Sequence, residues 1–169
     1  MKTTRAGGKI IIVEGVWGAG KTTRIKELAS KLHAVSIPEP DHRGCGLRGS
    51  MAMTHWYLDA HRRNVNRALG YAQKGRVVLI ERSVLTSAAY SVLILNNGGC
   101  QADVDELKRQ IQSARKKRIV FKIMYLKTRD IPGTVAHMRQ VRCLRQFADE
   151  KLLAAFDRYL RKAIKTIKK

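Results

Sequence analysis

The feature that most constrains this chain is the segment 15–22, GVWGAGKT, with glycines at its first and sixth positions followed by lysine and threonine. An apolar run at 9–14 precedes it, and an amphipathic segment at 22–33 follows it. This order predicts a buried parallel strand, a glycine-rich loop and a helix in direct succession. Backbone N–H groups of such a loop can point at an anion, and the N-terminus of the helix adds its positive end. The segment is therefore typical of a loop that holds phosphate groups.

The positions of this loop have different expected roles. Lys21 is expected to reach the terminal phosphates of a nucleotide, and Thr22 is expected to be a ligand of Mg²⁺. The alternative is an accidental glycine-rich turn, and the flanking strand and helix argue against it. The residues expected to surround the bound phosphates are Gly15, Trp17, Gly18, Ala19, Gly20, Lys21, Thr22 and Thr23.

The rest of the chain alternates apolar runs with segments of helical periodicity. The apolar runs predict further strands at 34–37, 75–81 and 118–126. Helices are predicted at 52–73, 84–95, 103–117, 134–144 and 149–167. This alternation implies an α/β fold with three layers, a parallel sheet of about four strands with helices on both faces. At 169 residues the chain has the length of one domain, which we expect to span 1–169.

Polar residues follow the predicted strands. Gly15, Glu39, Glu81 and Lys127 each lie at or just beyond the carboxyl end of one strand. Because parallel strands end at one edge of the sheet, and ligands bind at that edge in folds of this class, we expect the active site there.

Two acidic residues at this edge have competing interpretations. Glu81 lies where a magnesium-binding carboxylate is needed and is followed by Arg82, a cation suited to phosphate; an ordinary salt bridge at the end of a strand is the alternative. Glu39, between two prolines, is either a general base for a substrate hydroxyl or a solvated loop acid.

Arginines and aromatic residues supply further candidates. Arg139, Arg142 and Arg145 recur every three residues on a predicted helix, so they are expected to share one face and to neutralise charge on a transferring phosphoryl group. A solvated basic face is the alternative. Trp56 and Tyr57 lie early in the long helix 52–73, where they either stack on a base or belong to the core.

The composition narrows the class of partner. Lys and Arg number 34 against 13 Asp and Glu, which gives a formal net charge of +21 and favours polyanionic partners, nucleic acid among them. Three widely spaced cysteines predict free thiols in a reducing compartment. His42 and Cys45 are close in sequence, but without a second such pair we expect an ordinary loop there and no zinc site. Without an apolar run of membrane length or room for a cleaved signal, the chain is expected to be cytoplasmic and to have no membrane partner.

These residues together resemble the thymidylate kinase and deoxynucleoside kinase superfamily, over most of the chain from Lys9 to about Tyr159. The segment from Glu14 to Thr23 looks like the loop of thymidylate kinases, and ERSVLTSAAY at 81–90 keeps that family's spacing after its acidic-Arg pair. Pro38-Glu39-Pro40 and Glu81-Arg82-Ser83 look more like deoxynucleoside kinases. The chain thus combines motifs that resemble those of thymidylate kinases with motifs that resemble those of deoxynucleoside kinases.

The resemblance implies a P-loop kinase fold, ATP and Mg²⁺ as cofactors, and a nucleoside or nucleoside monophosphate as substrate. Thr22 and Glu81 would hold the magnesium, and the substrate would contact Glu39, Arg43, Trp56, Arg82 and Tyr90. Because Ala19 lies in the loop, the catalytic arginine would come from a lid at about 129–148. The catalytic residues would be Lys21, Glu39, Arg82, Arg139 and Arg142, with Arg145 on the cofactor.

Three departures from the family pattern are visible. Trp17 takes the place of an acidic residue that contacts the acceptor sugar, and Ala60, beside Arg62 and Arg63, takes the place of a substrate-reading arginine. The family would also continue into a fifth strand and an adenine-holding loop, so the base pocket is expected to be incomplete.

Three functions follow as hypotheses. The first is phosphoryl transfer from ATP to a nucleoside monophosphate, most simply thymidylate. The second is deoxynucleoside kinase activity on a 5′-hydroxyl, with Glu39 as the base. The third is a non-catalytic protein that binds nucleotide or nucleic acid. The sequence leaves the acceptor base and the formation of a homodimer open.

Overall fold

The computed structural model describes residues 7–41, 50–98 and 100–168, except the side chains of Ser50, Arg142, Cys143 and Lys168. The strands are β1 (Lys9–Glu14), β2 (Val35–Ile37), β3 (Val77–Glu81) and β4 (Val120–Tyr125). The helices are α1 (Lys21–Leu32), α2 (Ser50–Gln73), α3 (Val84–Leu93), α4 (Gln101–Lys116), α5 (Ile131–Gln140) and α6 (Glu150–Lys168), with a 3₁₀ helix at Arg142–Phe147 between α5 and α6.

The four strands form one parallel sheet in the order β2-β3-β1-β4. In the register, Val13 pairs with Glu81 of β3, and Glu14 pairs with Tyr125 of β4. The carboxyl ends of these strands therefore meet at one edge, as the sequence predicts.

Side chains alternate between the two faces of the sheet, and each face has its own core. Ile10 and Ile12 of β1 point to the larger core, which α2, α3, α4 and α6 cover. Ile11 and Val13 point to a smaller core that includes Ile25 of α1. The α/β fold with three layers is thus confirmed.

The region after β4 differs from the prediction. A single helix at 134–144 is wrong, because α5 already begins at Ile131 and ends at Gln140. The side chain of Asp130 accepts a hydrogen bond from the N–H of Gly133 and so caps α5 one turn earlier than periodicity indicates. Val141 is extended, with φ −93° and ψ 111°, and the 3₁₀ helix follows. Arg139 and Arg145 therefore do not share one helical face.

Among the described helices, none combines the length and the apolar character that a bilayer-spanning helix requires. Within the same part of the chain, no three His, Cys, Asp or Glu side chains are grouped so that they could bind a metal ion. His42, Arg43 and Cys45 lie outside the described residues.

Candidate active site

The glycine-rich loop lies between β1 and α1, at the carboxyl edge of the sheet. Gly18 and Gly20 both have left-handed backbone conformations, with φ of 73° and 75°. Side chains rarely adopt this conformation, so glycine is favoured at both positions. Gly20 immediately precedes α1, and its carbonyl accepts the first helical hydrogen bond, from the N–H of Arg24. The loop therefore leads directly into the N-terminus of a helix.

Lys21 opens α1, and its side chain turns back over the loop. Its ammonium donates a hydrogen bond of 2.7 Å to the carbonyl of Val16, and only 5% of the residue is exposed. Burial and, to a smaller extent, the charge of Arg82 lower the pKa of Lys21 to about 7, although the charges of Glu39, Glu14 and Glu81 oppose this change. Lys21 is thus held at the loop, nearly shielded from water, with a backbone carbonyl as a hydrogen-bond partner of its ammonium.

Thr22 and Glu81 come together across the sheet edge. The hydroxyl of Thr22 donates a hydrogen bond of 2.7 Å to Oε1 of Glu81, although the two residues are 59 positions apart in the chain. Glu81 is buried at the end of β3, whereas Thr22 is exposed at the start of α1. The structure therefore brings the two predicted magnesium ligands into direct contact.

Arg82 directly follows β3, and its side chain contacts several residues at this edge of the sheet. Its backbone has a φ of 64°, a left-handed conformation that is unusual for a residue with a side chain. Nε lies 2.9 Å from Oε1 of Glu39 in an ion pair, and Nη1 donates to the hydroxyl of Thr86 at 3.2 Å and to the carbonyl of Gly15 at 3.5 Å. The guanidinium is thus buried between the loop, α3 and Glu39.

Glu14 is a residue of this site to which the sequence analysis assigned no role. It is fully buried at the end of β1 and accepts hydrogen bonds from the hydroxyls of Ser83 and Thr86, at 2.5 and 2.9 Å. Burial raises the pKa of Glu14, and the two hydroxyls and the charges of Arg82 and Lys21 oppose that rise. The signal available in the sequence was a charged residue that closes an otherwise apolar strand.

Trp17 packs against the end of the chain. Its ring stacks on Phe147 with centroids 4.5 Å apart and meets the edge of Phe156 at the same distance. The guanidinium carbon of Arg82 lies 5.4 Å from the centre of the Trp17 ring. Trp17 therefore links the loop to the 3₁₀ helix and α6. Its predicted contact with bound phosphates stays a prediction.

The aromatic candidates lie on two helices. On α2, Trp56 is half-buried and meets Tyr57 edge to face, and Tyr57 stacks at 6.1 Å on His61 one turn later. On α3, Tyr90 is half-buried with its ring 6.1 Å from that of Phe147. Of these rings, those of Trp56 and Tyr90 are the ones that the resemblance implies to be in contact with the substrate.

His61 is a second residue that the sequence analysis did not select. It is almost fully buried, and its Nδ1 has no hydrogen-bond partner among the described residues. Burial, aided by the charge of Arg82, lowers the pKa of His61 to about 3, so its ring is neutral. Arg62, in contrast, is exposed and forms ion pairs with Asp59 and Asp103, away from the loop.

The predicted lid arginines are only partly described. Arg139 and Arg145 are exposed, and Nε of Arg145 donates a hydrogen bond of 2.9 Å to the carbonyl of Arg139. The side chain of Arg142 lies outside the described residues, as does Arg43.

A cavity of about 410 Å³ adjoins the loop on the side of α5. This volume is within the usual range of ligand cavities. It is lined by Gly18 and Ala19 of the loop, the segment Lys127 to Asp130 after β4, and Gly133, Thr134 and His137 of α5.

Comparisons with known proteins give one related sequence and several related folds. No family model matches the chain. A thymidylate kinase from Desulfotalea psychrophila is 32% identical over 117 residues, which are 59% of this chain and 55% of that protein. The chain thus spans about half the length of this curated relative.

Two solved structures are similar in fold. Deoxyadenosine kinase from M. mycoides with bound dATP has a TM-score of 0.63 at 16% identity, over 92% of this chain and 84% of that chain. Thymidylate kinase from Candida albicans has a TM-score of 0.61 at 13% identity, over 92% of this chain and 77% of that chain. The predicted resemblance is thus confirmed as a shared three-layer fold with these P-loop kinases and as a sequence similarity to a thymidylate kinase over part of the chain.

Proposed function

We propose that this chain is a kinase that transfers the γ-phosphoryl group of ATP to a nucleoside monophosphate, most simply thymidylate. The observation that carries the proposal is the convergence of Lys21, the Thr22–Glu81 pair and Arg82 on the loop after β1. The partial sequence similarity to a thymidylate kinase supports the choice of acceptor.

The donor nucleotide would bind through the loop. Backbone N–H groups at a helix N-terminus attract phosphate, and Lys21 would exchange the carbonyl of Val16 for a phosphate oxygen. The cavity between the loop and α5 offers space beside the phosphates for another part of the nucleotide.

The residues present fit a magnesium ion. Mg²⁺ prefers oxygen ligands and commonly uses one or two protein groups together with substrate phosphates and water. The hydroxyl of Thr22 and the carboxylate of Glu81, in direct contact, supply two such oxygens beside the loop. When bound, the ion would neutralise charge on the transferring phosphoryl group.

Arg82 would act on the acceptor side of the reaction. It lies between the carbonyl of Gly15 and the carboxylate of Glu39, so its charge is held beside the phosphate-binding loop. Phosphoryl transfer needs positioning and charge neutralisation more than covalent help, and a fixed guanidinium provides both. Arg139, Arg142 and Arg145 would supply further positive charge from the lid.

Deoxynucleoside kinase activity is the second candidate, and the position of Glu39 favours it. Glu39 is half-buried and paired with Arg82, which is where a base for a sugar hydroxyl would be needed. Because a phosphate acceptor needs no such base, the effect of losing Glu39 distinguishes the two reactions.

The experiment measures ADP formation and the phosphorylated product with ATP, Mg²⁺ and a panel of nucleosides and nucleoside monophosphates. We expect turnover with thymidine monophosphate and a loss of at least about 100-fold in Lys21→Ala. Lys26→Ala, an exposed residue on the same helix, is the matched control and should keep the wild-type rate. Absence of turnover with every acceptor, or full activity of Lys21→Ala, would refute the proposal.

Glu39→Gln assigns the acceptor. If thymidine is the acceptor, we expect this variant to lose about 100-fold or more in rate, since general base catalysis contributes roughly that much. If thymidine monophosphate is the acceptor, the loss should be much smaller than that of Arg82→Ala.

A further inference from the structure

Glu14 has both carboxylate oxygens occupied by hydroxyl groups from the start of α3. Ser83 Oγ donates to Oε1 at 2.5 Å, and Thr86 Oγ1 donates to Oε2 at 2.9 Å. The residue has no exposed surface, so these contacts are made without competition from bulk water. Burial of a carboxylate is unfavourable in free energy, and Glu14, which is fully buried, directly precedes the phosphate-binding loop.

Each of the two hydroxyls has a single proton, and Glu14 takes both. The lone pairs of the hydroxyls are then free to accept. Thr86 Oγ1 accepts a hydrogen bond of 3.2 Å from Nη1 of Arg82, and Ser83 Oγ accepts one of 3.3 Å from the N–H of Leu85 as the N-cap of α3. Because an arginine can only donate, the hydroxyl proton of Thr86 points away from Arg82, and Oε2 of Glu14 accepts it.

Arg82 needs such support. Its backbone is left-handed, with φ of 64°, a conformation that is strained for a residue with a side chain. Strained residues of this kind persist when the surroundings determine their position. Here the surroundings include the N-cap at Ser83, the hydroxyl of Thr86 and the backbone hydrogen bond of 3.1 Å from the N–H of Arg82 to the carbonyl of Val13.

We propose that Glu14 is a positioning residue, which fixes the guanidinium of Arg82 beside the phosphate-binding loop by orienting the hydroxyls of Thr86 and Ser83. The role in catalysis rests on the function proposed above for Arg82. The geometric part, that Glu14 determines where Arg82 lies, stands independently of the reaction.

Two nearly isosteric substitutions test the network. In Glu14→Gln the amide nitrogen donates, so one of the two hydroxyls loses its acceptor. In Thr86→Val the hydroxyl between Glu14 and Arg82 is absent. We expect each variant to lower kcat about 10-fold or more. In Thr86→Val, which removes no charge near Lys21, the Kd for ATP should change less than about 2-fold, because the contacts of Lys21 and Thr22 are unaltered. Ser87→Ala, a buried neighbour on α3 with no part in these hydrogen bonds, is the matched control.

The double variant Glu14→Gln/Thr86→Val distinguishes positioning from general destabilisation. Because Thr86 links Glu14 directly to Arg82, the double variant should lose clearly less activity than the two single losses combined, and the part that remains should act through Ser83. Additive losses, or a loss in Glu14→Gln that follows only its thermal stability, would overturn the proposal.

A spectroscopic measurement needs no turnover. Arg82 lies 5.4 Å from the ring of Trp17, so in a Trp56→Phe background the NMR signals of the Trp17 indole and of the Arg82 Nε–H report where the guanidinium is. Both signals should shift in the same direction in Glu14→Gln and Thr86→Val and stay in place in Ser87→Ala. Unchanged signals in both variants refute the positioning role. Shifted signals in a protein that phosphorylates no acceptor support it and reject the kinase function instead.

Discussion

At the scale of single residues, the site holds charges in places where charge is costly. Lys21, Glu14 and Arg82 are all nearly or fully buried, and each is stabilised by a small number of partners. Lys21 is the clearest case, because its ammonium has a backbone carbonyl as its hydrogen-bond partner and its pKa is lowered to about 7. A bound polyphosphate would bring the negative charge that this position lacks.

Nucleotide binding should therefore be coupled to proton uptake by Lys21. At pH 8, above the lowered pKa of about 7, most of the lysine is neutral in the free protein. Bound phosphates raise that pKa, so binding should take up close to one proton at pH 8 and almost none at pH 6, where the lysine is already charged. Calorimetric titration with ATP in buffers of different ionisation enthalpy measures this number.

The variant Lys21→Met is the control for this coupling. Its binding should be weaker, and the pH-dependent component of proton uptake should be absent. Equal proton uptake in the variant and in the wild type would show that Lys21 does not take up the proton and would contradict this prediction.

At the scale of elements, the structure links the phosphate-binding loop to α5. Gly18 and Gly20 have the same left-handed backbone, but their surroundings differ. A Cβ at Gly18 would lie 2.8 Å from Cγ2 of Thr134 on α5, whereas a Cβ at Gly20 would meet nothing within 4 Å. Glycine at position 18 thus allows both the left-handed backbone and the close approach of α5. Glycine at position 20 is needed only for the left-handed backbone.

This difference predicts unequal effects of two alanine substitutions. Gly20→Ala should destabilise the protein by about 1–2 kcal/mol, from the left-handed backbone alone. Gly18→Ala should cost more, since it adds a clash with Thr134 to the same strain. Urea unfolding measures both free energies.

A second substitution separates the two causes at Gly18. Thr134→Ser removes Cγ2 and keeps the hydroxyl that donates to the carbonyl of Asp130. In its presence, the cost of Gly18→Ala should fall towards that of Gly20→Ala. No rescue would mean that the loop and α5 are not in contact in solution.

The segment predicted to be a lid, at about 129–148, shows where reasoning from periodicity fails. Arginines at every third position predicted one basic helical face at 134–144, yet α5 ends at Gln140 and a 3₁₀ helix follows. Phe147, at the end of that 3₁₀ helix, stacks on Trp17 of the loop. A contact between residues 130 positions apart helps to set the path of this segment, and helical spacing contains no information about it.

At the scale of the whole molecule, most of the net charge of +21 comes from residues outside the candidate site. The site itself combines cations with the acids Glu14, Glu39 and Glu81, whereas exposed cations occur in runs elsewhere. Arg115, Lys116, Lys117 and Arg118, for example, are consecutive and exposed at the turn before β4. Such runs attract polyanions of any kind.

We therefore expect retention on nucleic acid that weakens steeply with salt and does not depend on the glycine-rich loop. The logarithm of the binding constant should fall linearly with the logarithm of the salt concentration, by about 0.9 per phosphate neutralised on duplex DNA. Fluorescence anisotropy with a labelled oligonucleotide measures this slope. Reversal of Lys116 and Lys117 to glutamate should lower it, and Lys21→Ala should leave it unchanged.

Two results would contradict this expectation. One is the absence of binding at low salt. The other is binding that Lys21→Ala removes, which would place the nucleic acid in the active site.

The order of strand, loop and helix could be predicted from local sequence alone, because glycine, lysine and threonine at fixed spacing after a buried strand have few other uses. It also located the ends of the strands, and with them Glu39, Glu81 and Arg82, since parallel strands end at one edge. These are local patterns, and local backbone preferences are enough to produce them.

Which side chains come into contact depends on the packing of separate elements and could not be predicted from local sequence. Glu14 appeared in the sequence as the last residue of a strand, and His61 as one polar residue of a helix; their burial depends on neighbours from other elements. The contacts of Arg82 with Glu39 and Thr86, and of Trp17 with Phe147, join residues through packing of separate layers. Because burial and charge pairing arise from that packing, the sequence could name candidate residues for the site but could not arrange them.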